Sequence, residues 1–140
     1  MIDWKRIIIH HSATVDGRTF SWSAIKRYHT QTLGFQHIGY HAGVEYVDDD
    51  YFAIMGRPWD MVGAHAIGQN DKALGLCIVG NYDNVAPDDK ALELAAEVVR
   101  LWMRIYNIPL EEIHMHREYA NKTCPGTLFP WKKFLEMCRV

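Results

Sequence analysis

Two imidazoles and one thiol stand out as a set that could hold a metal: His10 in Ile7-Ile8-Ile9-His10-His11-Ser12, and His116 and Cys124, which bracket the stretch Arg117-Glu118-Tyr119-Ala120-Asn121-Lys122-Thr123. Two neutral nitrogens and one thiolate fill three corners of a zinc tetrahedron and leave the fourth for water, the arrangement that separates catalytic zinc sites from closed structural ones. With about one net positive charge left on the metal, bound water would drop from a pKa of ~16 toward ~7 and a carbonyl would be polarised, which is amide or ester hydrolysis chemistry. A single histidine at a strand end is more often a hydrogen-bonded structural residue. His11, His29, His37, His41, His65 and His114 each offer a substitute member, so spacing alone leaves the set open.

These residues need elements to bring them together. Arg6 to His10 is a short β-branched run that reads as a buried strand ending at the first candidate ligand. A loop through Asp16-Gly17 leads to a helix begun near Ser21, with Trp22, Ile25, Tyr28 and Thr32 on one face and Gly34 as its stop. Gly39 to about Val47 reads as extended, and Asp48-Asp49-Asp50 as the turn of a hairpin with Tyr51 to Met55. The segment from Ala73 to Val79 is apolar on both faces, as a central strand covered by helices would be.

The longest helical pattern runs from Asp88 to Tyr106, with Leu92, Ala95, Val98 or Val99, Trp102 and Ile105 facing the core and Pro87 at a first-turn position. A short strand from Ile113 to His116, a loop from Arg117 to Gly126 and a helix from Phe129 to Met137 complete the chain. The expected architecture is α/β, a mixed central sheet flanked by helices. In this frame His10 and His116 end separate strands, and Cys124 lies on a loop able to fold back to them.

Composition agrees with one domain spanning 1–140: 140 residues and 49% hydrophobic content suffice for one core. A net charge of -2 without a basic run gives no footprint for nucleic acid or a membrane surface, and no window reaches the roughly 20 apolar residues of a membrane span. Lys5 and Arg6 follow Asp3 with no long apolar stretch, unlike a secretory signal, so a chain that is cytoplasmic as synthesised is expected. Cys77, Cys124 and Cys138 are too few and too widely spaced for a disulfide framework; Cys77 reads as core and Cys138 as structural or free.

Five stretches, in order, resemble the zinc-dependent N-acetylmuramoyl-L-alanine amidases, the family that includes phage T7 lysozyme and the peptidoglycan recognition proteins. They are Ile9-His10-His11-Ser12-Ala13-Thr14, Ile38-Gly39-Tyr40-His41, Gly63-Ala64-His65-Ala66, the run from Leu74 to Asp83, and His116 to Gly126. The resemblance covers most of the chain and implies an amidase-like fold, one zinc ion per chain, and His10, His116 and Cys124 as its ligands. It also implies that Tyr40 and Lys122 are catalytic, orienting water, stabilising an oxyanion or protonating the leaving amine. Which of the two moves the proton stays open.

By the same resemblance His65 lies in the wall of the substrate groove, with Asn70 and Arg57 as weaker groove candidates. His41 follows Tyr40, should point to the opposite sheet face, and so supports the site from behind rather than binding metal. Two departures bear on substrate preference: the segment from Ala42 to Tyr51 is less regular than the family's strand, acidic turn and strand, and His37 stands where an acid is common. The implied activity is hydrolysis of the amide between N-acetylmuramic acid and L-alanine in peptidoglycan, as in a phage or prophage endolysin. Such an endolysin is expected to act as a monomer on the cell wall with a holin-type partner for access. A peptidoglycan-binding receptor without turnover and a cytosolic amidase recycling muropeptides are the alternatives. The first generally lacks the complete ligand set, and the second usually carries Asp where this chain has Cys124.

Overall fold

A computed structural model describes residues 1–14 and 21–140; the expected loop through Asp16-Gly17 lies outside the described residues. A five-stranded sheet runs in the order β3-β2-β4-β1-β5, built from β1 (Arg6–His11), β2 (Ala42–Val47), β3 (Asp50–Met55), β4 (Ala73–Ile78) and β5 (Ile113–Met115). β1 lies parallel to both β4 and β5, β4 is parallel to β2, and only the β2–β3 hairpin is antiparallel. The sheet is therefore mixed, as expected. The hairpin turns through Asp48 and Asp49, both at positive φ (51° and 64°), the conformation whose twist matches that of the flanking strands.

Alternation along β1 divides the molecule into two layers. Ile7 and Ile9 join Leu74, Leu76 and Ile78 of β4 in the main core, packed beneath α2 (Asp89–Tyr106) and α3 (Trp131–Cys138). Ile8 and Cys77 belong to small clusters on the opposite face, where α1 (Trp22–Arg27) contributes Trp22. His10 shares the face of Ile8 by the same period, so it points away from the main core.

α2 is held at its start by the Asp88 side chain, which accepts from Lys90 N at 2.9 Å, and at its end by Asn107 in the left-handed conformation. Asp88 is thus the cap, and Pro87 precedes the helix rather than occupying its first turn. Leu92, Ala95, Val99 and Trp102 are buried as expected, but Ile105 is 52% exposed. At 3.6 residues per turn it stands about 120° around the axis from Val99, and Met103 takes the core-facing place. Tyr28, expected on the apolar face of the first helix, is also exposed (54%). Its backbone is still regular helix, with its N–H on Ala24 O, so at 3.6 residues per turn it stands about 120° around the axis from Trp22; the π-turn over Tyr28–Thr32, closed by Leu33 N to Tyr28 O at 3.0 Å, begins at this residue. His116 begins a 3₁₀ turn instead of ending β5.

All three cysteines are free and buried. Among the described residues no helix is long and apolar enough to cross a membrane. Trp102, fully buried between α2 and the sheet with Trp59 set edge-on at 5.5 Å between ring centroids, marks the centre of the main core. Trp102→Ala is expected to lower stability by about 3–5 kcal/mol, read from urea unfolding midpoints at unchanged slope.

Candidate metal centre

The carboxyl ends of β1 and β5 bring two of the three donors together. Ile9 pairs with Met115, so the next residues along these parallel strands are His10 and His116, whose ring centroids lie 4.4 Å apart. Ligand sites in open α/β sheets form outside such strand ends. Cys124 arrives on the returning loop: its carbonyl accepts from Arg117 N at 2.8 Å, and its Sγ accepts from His11 N at 3.3 Å. Asp83 clamps that loop from the far side, one carboxylate oxygen accepting from Thr123 Oγ1 and the other from Thr127 N, both at 2.8 Å. Gly126, at φ 121°, passes so close to Tyr82 that a Cβ would stand 2.5 Å from the Tyr82 backbone.

The donor atoms of His10, His116 and Cys124 all lie within 4.8 Å of one another, and all three residues are buried. His10 Nδ1 and Cys124 Sγ are 3.8 Å apart, against about 3.6 Å for two corners of a zinc tetrahedron with ordinary Zn–N and Zn–S bonds. Burial holds His10 well below the ordinary imidazole pKa, helped by the neighbouring His65, and lowers His116 to about 4, helped by Lys122. Both rings are consequently neutral at pH 7 and keep a lone pair for a metal. Burial also pushes the Cys124 thiol up to about 11, outweighing the His11 backbone N–H and the Lys122 charge, which favour the thiolate. A divalent ion reverses that balance, so this donor set fits zinc.

Four of the other histidines have partners elsewhere. His11 Nδ1 accepts from Tyr82 N at 3.0 Å, and His29 Nδ1 accepts from Gly39 N at 2.9 Å. His114 faces Glu118 at 3.0 Å. His41 is fully buried, its Nδ1 accepting from Gly75 N at 3.1 Å and its Nε2 donating to Met61 O at 2.9 Å.

A cavity of about 460 Å³ opens over the three donors, with Tyr40, Lys122, His65 and Asp83 in its walls. It continues past Tyr40 and Lys122 into a second hollow of about 680 Å³ beside Asn70, Ile67 and Tyr119. Burial, then the nearby thiols of Cys77 and Cys124, raise the Tyr40 hydroxyl well above its ordinary pKa, so it is a hydrogen-bond donor and not a base at neutral pH. The Tyr40 ring stands 5.1 Å from that of His10. Lys122 is exposed at the cavity rim.

Of the three groove candidates, His65 and Asn70 border the hollows and Arg57 does not. Arg57 is buried and lines neither hollow; its guanidinium donates to the carbonyls of Ile38, Val62 and His37 at 3.0, 2.7 and 3.2 Å, so it braces the loops around Tyr40. Asn70 does border the second hollow, but its Oδ1 accepts from His65 N and Ala66 N at 2.8 and 2.9 Å and ties that loop. His65 lines both hollows, yet its Nδ1 meets His10 Nε2 at 2.9 Å. The clamp residue Asp83 went unrecognised in the sequence; the only signal was its place in the matching stretch that ends at Asp83.

A family model described as N-acetylmuramoyl-L-alanine amidase matches residues 2–127. The chain belongs to that amidase family. Human N-acetylmuramoyl-L-alanine amidase is 32% identical over 105 residues, which are 74% of this chain and 18% of that protein. Drosophila melanogaster peptidoglycan-recognition protein LB is 28% identical over 128 residues, 86% of this chain and 53% of the relative, so the chain spans about half or less of these two proteins. Among solved structures, the amidase LysC from Clostridium intestinale superposes with a TM-score of 0.79 at 27% identity, covering 95% of this chain and 83% of that one. Bumblebee PGRP-SA superposes with a TM-score of 0.80 at 26% identity, covering 94% and 81%.

The neutral imidazoles of this amidase fold set its pH response. Burial lowers His41 to about 4 and His65 to about 3, below the ordinary histidine value that the unfolded chain regains. The unfolded state therefore binds more protons below about pH 6.5, and stability present above that pH is lost progressively as pH falls toward 4. Thermal unfolding of chelator-treated protein should show a melting temperature that is flat from pH 7 to 8 and falls between pH 6.5 and 4.

Proposed function

We propose that this chain is a zinc-dependent amidase that hydrolyses the bond between N-acetylmuramic acid and L-alanine in peptidoglycan, in the manner of an endolysin. The observation that carries this reading is the complete His10, His116 and Cys124 set at the floor of an open cavity flanked by Tyr40 and Lys122. The family match supports the bond, and a Clostridium intestinale structure described as an endolysin N-acetylmuramoyl-L-alanine amidase, 28% identical and covering 95% of this chain, supports the biological role. A receptor that binds without cutting would have no need of the third, thiol donor.

When bound, zinc would supply the Lewis acidity that makes water nucleophilic near neutral pH and polarises a carbonyl. The chain's own residues do the rest. The lactyl amide lies across the cavity with its carbonyl oxygen toward Tyr40, whose protonated hydroxyl donates to that oxygen as negative charge develops. Lys122 sets a positive charge at the rim, where it stabilises the same oxygen or passes a proton to the departing nitrogen. Water oxygen bonds to the carbonyl carbon, the C–N bond breaks, and the nitrogen leaves with a proton as the amine of L-alanine. The lactyl group is left as a carboxylate.

Mass spectrometry of purified peptidoglycan digested with zinc-loaded protein should show free stem peptides beginning with L-alanine, absent after chelation. Unchanged muropeptides with the protein sedimenting on sacculi would instead make it a binding module. Activity confined to soluble anhydro-muropeptides would turn the role to recycling.

Side-chain variants separate the parts. Cys124→Ser should lose zinc and turnover together. Tyr40→Phe and Lys122→Ala should keep full zinc while kcat falls by about 100-fold or more; loss of metal in either would make that residue structural.

A further inference from the structure

We infer that His65 is a positioning residue, whose Nδ1 accepts from His10 Nε2–H and thereby leaves His10 Nδ1 as the lone pair aimed toward Cys124. The inference rests on the zinc reading above. It differs from a groove-wall role for His65, which asks nothing of the metal.

One ring nitrogen has no choice of role. His65 Nε2 lies 3.0 Å from the carbonyl oxygen of Ala73, and a carbonyl can only accept, so His65 carries its proton on Nε2. In a neutral ring the other nitrogen is then an acceptor. His65 Nδ1 lies 2.9 Å from His10 Nε2, so that nitrogen of His10 must be the donor. His10 Nδ1 is left without a proton, and it is the nitrogen 3.8 Å from Cys124 Sγ. One backbone carbonyl thus dictates the tautomers of two successive imidazoles, the second of which is a ligand. Partners behind a ligating histidine fix ring orientation and raise basicity in this way.

The surroundings are shaped to hold the His65 ring. It lies against β4 at Gly75, where a Cβ would stand 2.6 Å from each of three ring atoms, so no larger residue fits without moving it. Gly63 is similarly constrained, a Cβ there standing 2.6 Å from the same ring. The backbone of His65 is tied by Asn70 Oδ1, and Ala64 N donates to Gly39 O at 3.1 Å, next to Tyr40. The loop therefore delivers a ring in one position.

Nitrogen-15 NMR of the imidazoles reads the tautomers directly in the wild-type chain, with and without zinc. Both His65 and His10 should appear as Nε2–H forms in the metal-free protein, and His10 should retain Nε2–H when zinc is added. An Nδ1–H form of either ring in the metal-free protein would overturn the inference.

Zinc affinity, measured by competition with a chromophoric chelator, gives a second readout. His65→Phe keeps the ring but removes the acceptor and should weaken zinc binding about 10–100-fold. His65→Asn, whose Oδ1 can stand where Nδ1 was, should recover most of that loss. Wild-type affinity in His65→Phe, or equal weakening in both variants, would leave His65 a groove or packing residue only. Failure of the wild-type chain itself to bind zinc would overturn the proposed function, while the NMR of the metal-free protein would still decide the tautomers.

Discussion

A buried neutral imidazole carries one donor and one acceptor, and each must be given a partner or its burial is costly. This constraint organises the structure around the candidate centre. His10, His11 and His41 are buried polar residues in or beside strands of an otherwise apolar sheet, and His65 leans against β4 from its loop. Their partners are mostly backbone groups with fixed polarity: Gly75 N and Met61 O for His41, Tyr82 N for His11, Ala73 O for His65. Since a backbone N–H only donates and a carbonyl only accepts, the sheet and its loops dictate protonation as well as position. The three candidate donors are positioned by the fold itself.

The loops owe their shapes to the same requirement. Residues 63–70 pass close over β4 because Gly75 and Gly63 leave room for the His65 ring, and Asn70 draws the backbone of His65 and Ala66 inward. Arg57, buried with its guanidinium on three carbonyls, fixes the segment that precedes Tyr40. On the other side Asp83 grips both flanks of Cys124, so the thiol is presented by a loop tied at Thr123 and Thr127. Arg57 and Asn70, groove candidates in the sequence, thus spend their polar groups on the loops that carry Tyr40 and His65.

The periodic parts of the chain were readable in advance. Ile7 to Ile9, the run from Ala73 and the hairpin through Asp48 and Asp49 follow from β-branched content, continuous hydrophobicity and turn chemistry, and each forms where expected. Residue type misleads where it outweighs helical angle. Tyr28 and Ile105 look apolar enough for the core, although each stands about 120° around its helix from a buried residue, Trp22 and Val99. The donor set was one of several combinations until β1 and β5 were seen in parallel register, because the eight histidines differ chiefly in their partners. The roles of Arg57, Asn70 and Asp83 depend on contacts with loops distant in the chain, which no spacing rule reports.

Peptidoglycan offers glycosidic bonds as well as amides, and the chemistry of the cavity discriminates between them. Glycoside hydrolysis ordinarily needs two carboxyl groups facing each other across the bond, about 5 to 10 Å apart. Among the described residues lining the cavity over the donors, Asp83 is the acid, and both of its oxygens already accept hydrogen bonds from the Cys124 loop. No opposed second carboxyl stands there to protonate a leaving sugar oxygen. What else lines the space is the imidazoles of His10, His11, His65 and His116, all held below the ordinary histidine pKa, a thiol that burial keeps protonated, a tyrosine that keeps its proton and a lysine at the rim. Under the proposed function these groups would hold a Lewis acid and meet negative charge developing on a carbonyl oxygen. They suit the addition of water to an amide, as in the proposed reaction, and are poorly suited to the departure of a sugar as an oxocarbenium ion.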